Sequence, residues 1–374
     1  MPSTPTTDIY AQFGVRRVIN AATTLTALGG ITLPPEVSAA MTAASTSCVS
    51  MEELHLAAGR RLAELTNNEG ALVTSGCAAA MVLAVLATIT GGRPELIAQL
   101  HHDNSLARNV VIHRTHRIPY DRAIELAGGR IVEIGNVLQT FTWELEAAID
   151  EQTAAVFWTA GDHMPQTTLS LDETVAIAHA HGVPIIVDAA AQLPPVSNLW
   201  NFTKGHGVDL VTFSGGKGLR GPQASGLLLG RADLVEAARL NAAPFQRLAR
   251  PMKVGKEEVM GLVTAVERYL ALDHAAQAQQ WTFTVDDWVR QLASTPGLTA
   301  RRLDLNEAGQ PVARLEIAFT EKSRATDVTA RLWDGDPRVA VLRVGDIIYL
   351  SPDTLEDGEE ELVMARLHDA LRVV

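Results

Sequence analysis

Residues 209–230 read DLVTFSGGKGLRGPQASGLLLG. Two apolar runs, DLVTFS (209–214) and ASGLLLG (224–230), flank a glycine-rich turn. Runs of this length bounded by turn residues predict buried strands. Lys217 then stands just past the carboxyl end of a strand, where open α/β sheets place their ligands. The glycines around it let the backbone approach a bulky group closely. A primary amine in that position is a natural partner for an aldehyde cofactor. Taken alone, Gly-Gly-Lys-Gly equally describes a solvated lysine in a surface turn.

Upstream, PIIVDAAAQLPP (184–195) puts Asp188 at the end of another apolar run. The spacing to Lys217 fits one strand-to-strand crossover. A buried carboxylate is costly unless paired, and the N–H of a protonated pyridine ring would pair it. As an alternative, Asp188 caps the following turn. Further upstream, ALVTSGCAAAMVLAVLA predicts a strand, a turn through Ser75, Gly76, Cys77 and Ala78, and a long apolar helix. Free N–H groups and the helix dipole at such a start favour a phosphate, although Ser75 also reads as a plain N-cap. In NVVIHRTHRIPYDRA, His116 lies between a strand and a helix, where an imidazole can stack on a planar ring. His113 and His102 compete for that role, and each histidine can also be structural.

These strands belong to a longer alternation. NVVIH (109–113), RIVEI (130–134) and AAVFWT (154–159) are separated by helical segments such as YDRAIELAG (120–128) and LDETVAIAHAHG (171–182). Such an order predicts a mainly parallel, doubly wound sheet covered on both faces. Residues 1–40 read as an N-terminal arm and 41–255 as the large domain. Residues 256–374 read as a smaller α+β domain, opened by one long helical stretch over 256–294.

The chain has 374 residues, 47% of them hydrophobic, and a formal net charge of −12. Its length suits two domains. Its charge repels nucleic acid and anionic membranes at long range. Cys48 and Cys77 are the two cysteines, so no disulfide framework is expected. The first residues lack the apolar core of a signal peptide. The expected location is therefore the cytoplasm, with no membrane partner.

The order of a Ser-Gly turn, a histidine, Asp in VDAAAQ and Ser-Gly-Gly-Lys resembles fold type I pyridoxal-5′-phosphate (PLP) enzymes over nearly the whole chain. VINAATTLTALGG (18–30), VSMEELHLAAGRRLAELTNNEGALVTSGCAAA (49–80), FSGGKGLRGPQ (213–223) and RPMKVGKEEVMGL (250–262) resemble a narrower family. It joins L-seryl-tRNA(Sec) selenium transferases to relatives such as D-glucosaminate-6-phosphate ammonia-lyase. The expected architecture is an aspartate aminotransferase-like large domain with a mainly parallel seven-stranded sheet and a smaller α+β C-terminal domain.

The resemblance implies roles by position. Lys217 matches the Schiff-base lysine and acid/base, Asp188 the pyridinium partner and His116 the ring-stacking residue. Gly76, Cys77 and Ala78 match the phosphate-binding helix start, and Ser214 a hydroxyl that reaches the phosphate. Gln192 stands four residues after Asp188, where related enzymes have it three after, which weakens its assignment to the phenolic oxygen. A substrate carboxylate calls for a cation, for which Arg343, Arg250 and Lys256 are the candidates. Thr24 lies in the arm, which in this fold borders a neighbouring subunit's site. A homodimer or higher homo-oligomer is therefore expected.

With PLP as electron sink, the expected reaction is α,β-elimination of ammonia-lyase or dehydratase type on a hydroxylated or sugar-derived amino acid. Aminotransfer, racemisation and aldol cleavage share its first steps, and a non-catalytic protein of the same fold is a further alternative. No cysteine follows residue 77, which argues against a desulfurase with a mobile cysteine loop. The charge argues against a tRNA substrate. A nucleotide-binding protein would need a Walker pattern, which is missing, or a G-x-G-x-x-G that opens a helix, whereas GKGLRG (216–221) leads into the apolar run ASGLLLG. His101-His102-Asp103 and His113/His116 have loose ligand spacing, but no metal constellation closes around them.

Overall fold

A computed structural model of the chain describes residues 8–100, 102–103, 105–162, 164–165 and 167–372. Its strands run, in chain order, β1 (Val18–Asn20), β2 (Gly70–Thr74), β3 (Asn109–His113), β4 (Arg130–Ile134), β5 (Thr153–Thr159), β6 (Ile185–Asp188) and β7 (Leu210–Ser214). They continue with β8 (Gly226–Gly230), β9 (Leu298–Leu303), β10 (Arg314–Phe319), β11 (Arg338–Ala340), β12 (Leu342–Val344) and β13 (Ile347–Leu350).

Seven of them form one sheet in the order β2-β8-β7-β6-β5-β3-β4. The pairs β3–β4, β3–β5, β5–β6 and β6–β7 are parallel, and β8 runs antiparallel to both β2 and β7. The side-chain period of two sends alternate residues to opposite faces. Ile185, Val187, Val211, Phe213, Leu227 and Leu229 enter one apolar cluster. Ile186, Leu210, Leu228 and Phe157 enter the other. Both faces are therefore covered, which is why these strands read as continuous apolar runs rather than as alternating ones. Helix Cys77–Thr90 lies in the second cluster, with twelve of its residues buried.

The chain divides into two compact units. One comprises 33–272 and 307–310 and holds the seven-stranded sheet; the other comprises 1–32, 273–306 and 311–374. In the second unit β12-β13-β10-β9 form an antiparallel sheet, and β1 pairs in parallel with β11. Ile19, Trp288, Leu315, Ile317, Val339 and Leu367 belong to its core.

These divisions differ from the sequence boundaries after residues 40 and 255. The helical stretch 256–294 is two helices, Lys256–Ala271 and His274–Leu292. Leu272 is extended, and the Asp273 side chain caps the second helix by accepting from the Ala276 N–H at 2.9 Å. The first helix packs on Pro35–Ser45 and Met51–Leu65, so it stays with the large unit. The arm joins the C-terminal unit because β1 completes the pair with β11. Among the described residues, no helix is long and apolar enough to cross a membrane.

Candidate active site

The carboxyl ends of β5, β6 and β7 lie side by side, with Thr159 opposite Asp188 and Asp188 opposite Thr212 in the ladder. Asp188 is buried, with 5% of its surface exposed. Its Oδ1 accepts the Ala190 N–H at 3.0 Å and lies 3.7 Å from the Cys77 sulfur. The strand ends are laced together beyond the ladder. The Ala189 N–H donates to the Thr212 carbonyl at 3.0 Å, and the Ser214 N–H donates to the Ala190 carbonyl at 3.2 Å.

Lys217 sits half-buried in the turn that follows β7. Its carbonyl accepts the Arg220 N–H at 2.8 Å, and the Gly221 N–H donates to the Gly215 carbonyl at 2.8 Å. Gly218 faces the carbonyl of Leu193 so closely that a Cβ would lie 2.8 Å from the Leu193 carbonyl carbon. Only glycine lets the lysine turn close down on the segment that follows Asp188.

Helix Cys77–Thr90 starts beside these strand ends. Its cap, Gly76, has φ +138°, which an L side chain rarely adopts. No side chain caps the helix, so its first N–H groups stay available to an anion. Ser75 does not serve as the cap; its hydroxyl donates to the Met252 carbonyl at 2.9 Å. The Cys77 thiol is buried, 3.2 Å from the Thr212 hydroxyl. Burial, and then the charge of Asp188, push its pKa well above the usual thiol range; a bond from Thr212 and the charge of Lys217 pull the other way. Cys77, Asp188 and Lys217 therefore share one electrostatic neighbourhood.

His116 closes a short 3-10 turn, Arg114–His116, and is buried. Its ring stands edge-on to Trp158, with centroids 4.6 Å apart at 86°. Nδ1 accepts the Thr159 N–H at 3.3 Å, and the Thr159 hydroxyl donates to the His116 carbonyl at 3.1 Å. Thr159 thus ties His116 to the strand position opposite Asp188. His113, behind it, is fully buried, and burial lowers its pKa to about 4. His102 is exposed, and His101 lies outside the described residues.

The remaining sequence candidates are placed as follows. Gln192 is buried, and its amide donates to the Ala308 carbonyl at 3.1 Å. Lys256 pairs with the carboxylate of its neighbour Glu257. Arg250 is exposed in a 3-10 turn that ends at Met252. In the other unit, Arg343 is exposed on the edge strand β12 and donates to the Gly345 carbonyl at 2.8 Å. Thr24, in that same unit, follows β1 and is half-buried. Among the described residues no cluster of His, Cys, Asp or Glu is set to hold a metal.

Three residues at or beside the site escaped sequence reasoning. Thr212 has a legible signal, since it precedes the turn on the strand next to Asp188. Trp158 lies at the end of β5, where the alternation sends it toward His116. Gln310, whose amide donates to the Leu193 carbonyl, has no local signal at all.

A model of the family described as L-seryl-tRNA selenium transferase (SelA) matches residues 18–294. The chain belongs to the SelA family. Among SelA relatives it is 34% identical to D-glucosaminate-6-phosphate ammonia lyase of Salmonella typhimurium, over 97% of this chain and 98% of that one. It is 36% identical to 5′-C-glycyluridine monooxygenase-decarboxylase of a Streptomyces species, over 97% and 92%. An L-seryl-tRNA(Sec) selenium transferase of Moorella thermoacetica is 29% identical over 96% and 82%. A solved D-glucosaminate-6-phosphate ammonia-lyase superimposes with a TM-score of 0.85, 33% identity and 99% coverage of both chains. Serine palmitoyltransferase of Sphingomonas wittichii shares the fold at a TM-score of 0.60 and 16% identity, over 95% and 87%. The SelA-family chain thus has the fold type I architecture that its motif resemblance implied.

The residues present fit PLP. An uncapped helix start suits a phosphate. A buried carboxylate one strand away suits a ring nitrogen that carries a proton. An amine on the next strand end suits an aldehyde.

Proposed function

We propose that this chain is a PLP-dependent lyase that eliminates ammonia or water from a hydroxylated or sugar-derived amino acid. One observation carries the proposal: Asp188, the turn that bears Lys217 and the start of helix Cys77–Thr90 converge within a single compact unit. The substrate class rests on the likeness to the Salmonella ammonia lyase. When bound, PLP supplies an electron sink for negative charge at the carbon that bears the substrate's amino group.

Each residue then has a task in this reading. Asp188 holds a proton on the ring nitrogen, and its burial favours a charged partner over solvent. The backbone N–H groups at the start of helix Cys77–Thr90 bind the phosphate. Lys217 would hold the cofactor's aldehyde through Nζ, and the same amine would serve as base for the proton on the substrate Cα. His116, held by Thr159 and Trp158, would stack on the cofactor ring. Ser214 and Gln192 are assigned to the cofactor's surroundings. The substrate carboxylate is assigned to Arg343, Arg250 or Lys256, and Thr24 is a further candidate for substrate binding. We also propose a cytoplasmic homodimer or higher homo-oligomer that acts on a small molecule and not on nucleic acid; light scattering on the purified protein tests the assembly.

Purified chain incubated with PLP and D-glucosaminate 6-phosphate should release ammonia and a keto acid in equal amounts. Absence of ammonia with every hydroxylated amino acid tried would overturn the elimination. A second reading has its own support, the 36% identity to the monooxygenase-decarboxylase. Under it a glycyl nucleoside would lose carbon dioxide with uptake of oxygen, and an oxygen electrode separates the two.

A further inference from the structure

The first residue of helix Cys77–Thr90 lies where the chain offers N–H groups to a phosphate, yet its side chain turns the other way. The Cys77 sulfur stands 3.7 Å from Asp188 Oδ1 and 3.2 Å from the Thr212 hydroxyl. Asp188 and Thr212 face each other across β6 and β7, and both are buried. Three elements therefore meet at one thiol: the helix start, β6 and β7.

We propose that Cys77 is a positioning residue whose S–H holds the Asp188 carboxylate, so that cofactor affinity depends on a sulfur outside the cofactor's own contacts. The inference rests on the assignment of Asp188 to the pyridine nitrogen. A thiol has one proton. The thiol can donate to Asp188 Oδ1 or to the Thr212 hydroxyl, which itself donates to the Val187 carbonyl at 3.5 Å, and the carboxylate is the stronger acceptor, so the proton goes to Oδ1. The charged groups acting on the thiol are Asp188, from β6, and Lys217, from the turn after β7. Burial and the Asp188 charge keep the sulfur protonated, so it remains a donor at neutral pH rather than a nucleophile. Groups that orient a ligand through a single bond commonly tune its affinity without touching the bound molecule.

Two measurements test this, and the first needs no cofactor. Cys48 is exposed; with Cys48→Ser in place, the infrared S–H stretch reports Cys77 alone. The band should lie at the low frequency of a thiol bonded to a carboxylate, and Asp188→Ala should move it upward. A band that does not move overturns the contact. In the second measurement PLP is titrated into the protein. Cys77→Ala should weaken binding about three- to tenfold, the loss of one weak bond to a charged group. It should also shift the pH dependence of the bound cofactor's absorbance. Cys77→Ser should restore affinity to within about twofold, since a hydroxyl donates in the same place. If Cys77→Ala binds PLP as the unaltered chain does, with the same spectrum, the positioning role is wrong. If the unaltered chain takes up no PLP, the assignment of Asp188 falls instead, and the infrared result still decides whether thiol and carboxylate are bonded.

Discussion

The two ends of the seven-stranded sheet each bury an aspartate, and the two are treated differently. At the amino ends of β6 and β7, Asp209 is 4% exposed. It accepts from the Ile185 N–H at 2.8 Å, meets His179 Nε2 at 2.9 Å and accepts from Arg231 Nη1 at 2.9 Å. At the carboxyl ends, Asp188 is 5% exposed and takes a backbone N–H at 3.0 Å beside a thiol at 3.7 Å. Asp209 is saturated by short bonds and acts as a clasp between strands. The contacts of Asp188 include a backbone N–H and a thiol, next to an amine and a helix start with no side-chain cap. Burial alone does not separate the two carboxylates; the kind of group beside each does.

The largest effect that would break this contrast is at the amine. Lys217→Ala should abolish the visible-edge absorbance of the protein with PLP and cut turnover at least about a thousandfold, the scale of losing a covalent group. Retained absorbance would remove Lys217 from the site. Next, the two aspartates should separate function from stability. Asp209→Ala should cost about 2–3 kcal/mol in urea unfolding, since it leaves the Ile185 N–H without its acceptor while half-exposed Arg231 and His179 contribute little. Asp188→Asn should change stability by less than about 1 kcal/mol yet weaken PLP binding strongly. Equal stability losses at both positions would erase the distinction.

His113 supplies a pH test of the same edge. Burial lowers its pKa to about 4 from the ordinary 6.5. Between those values the unfolded chain binds a proton that the folded chain refuses, so stability rises with pH across the window and is lost as pH falls. The loss from pH 7 toward 4 should approach about 3 kcal/mol from this group, and His113→Gln should flatten the slope in urea titrations at several pH values. The smallest effect belongs to Gln310, whose amide holds the Leu193 carbonyl against the lysine turn. Gln310→Ala should cost about 1 kcal/mol and loosen PLP slightly. No change in either quantity would make that strap incidental.

Much of the fold was legible because its signals are local. Every strand of the large sheet was marked by an apolar run, most strongly where both faces are covered. Helix Cys77–Thr90 was marked by its long apolar run after the Ser75–Ala78 turn. The break at Leu272–Asp273 was missed because residues on both sides favour helix, and only a cap at Asp273 separates them. At the site, Lys217 and Asp188 stood out because each ends an apolar run. The cations did not, because charge spacing says nothing about partners: Lys256 turned out to pair with Glu257 and Arg343 to bond its own turn.

By itself, then, the sequence determined the succession of strands and helices, the class of sheet they build and the two residues proposed for the chemistry at its carboxyl edge. Hydrophobic period and turn chemistry act over a few neighbouring positions and can be read there. Only the tertiary structure decided that the Cys77 side chain turns to Asp188 and Thr212, that Gln310 returns to Leu193, and which helices belong to which unit. Those outcomes depend on strand order and register, which bring together side chains more than a hundred residues apart, and no local pattern carries that information.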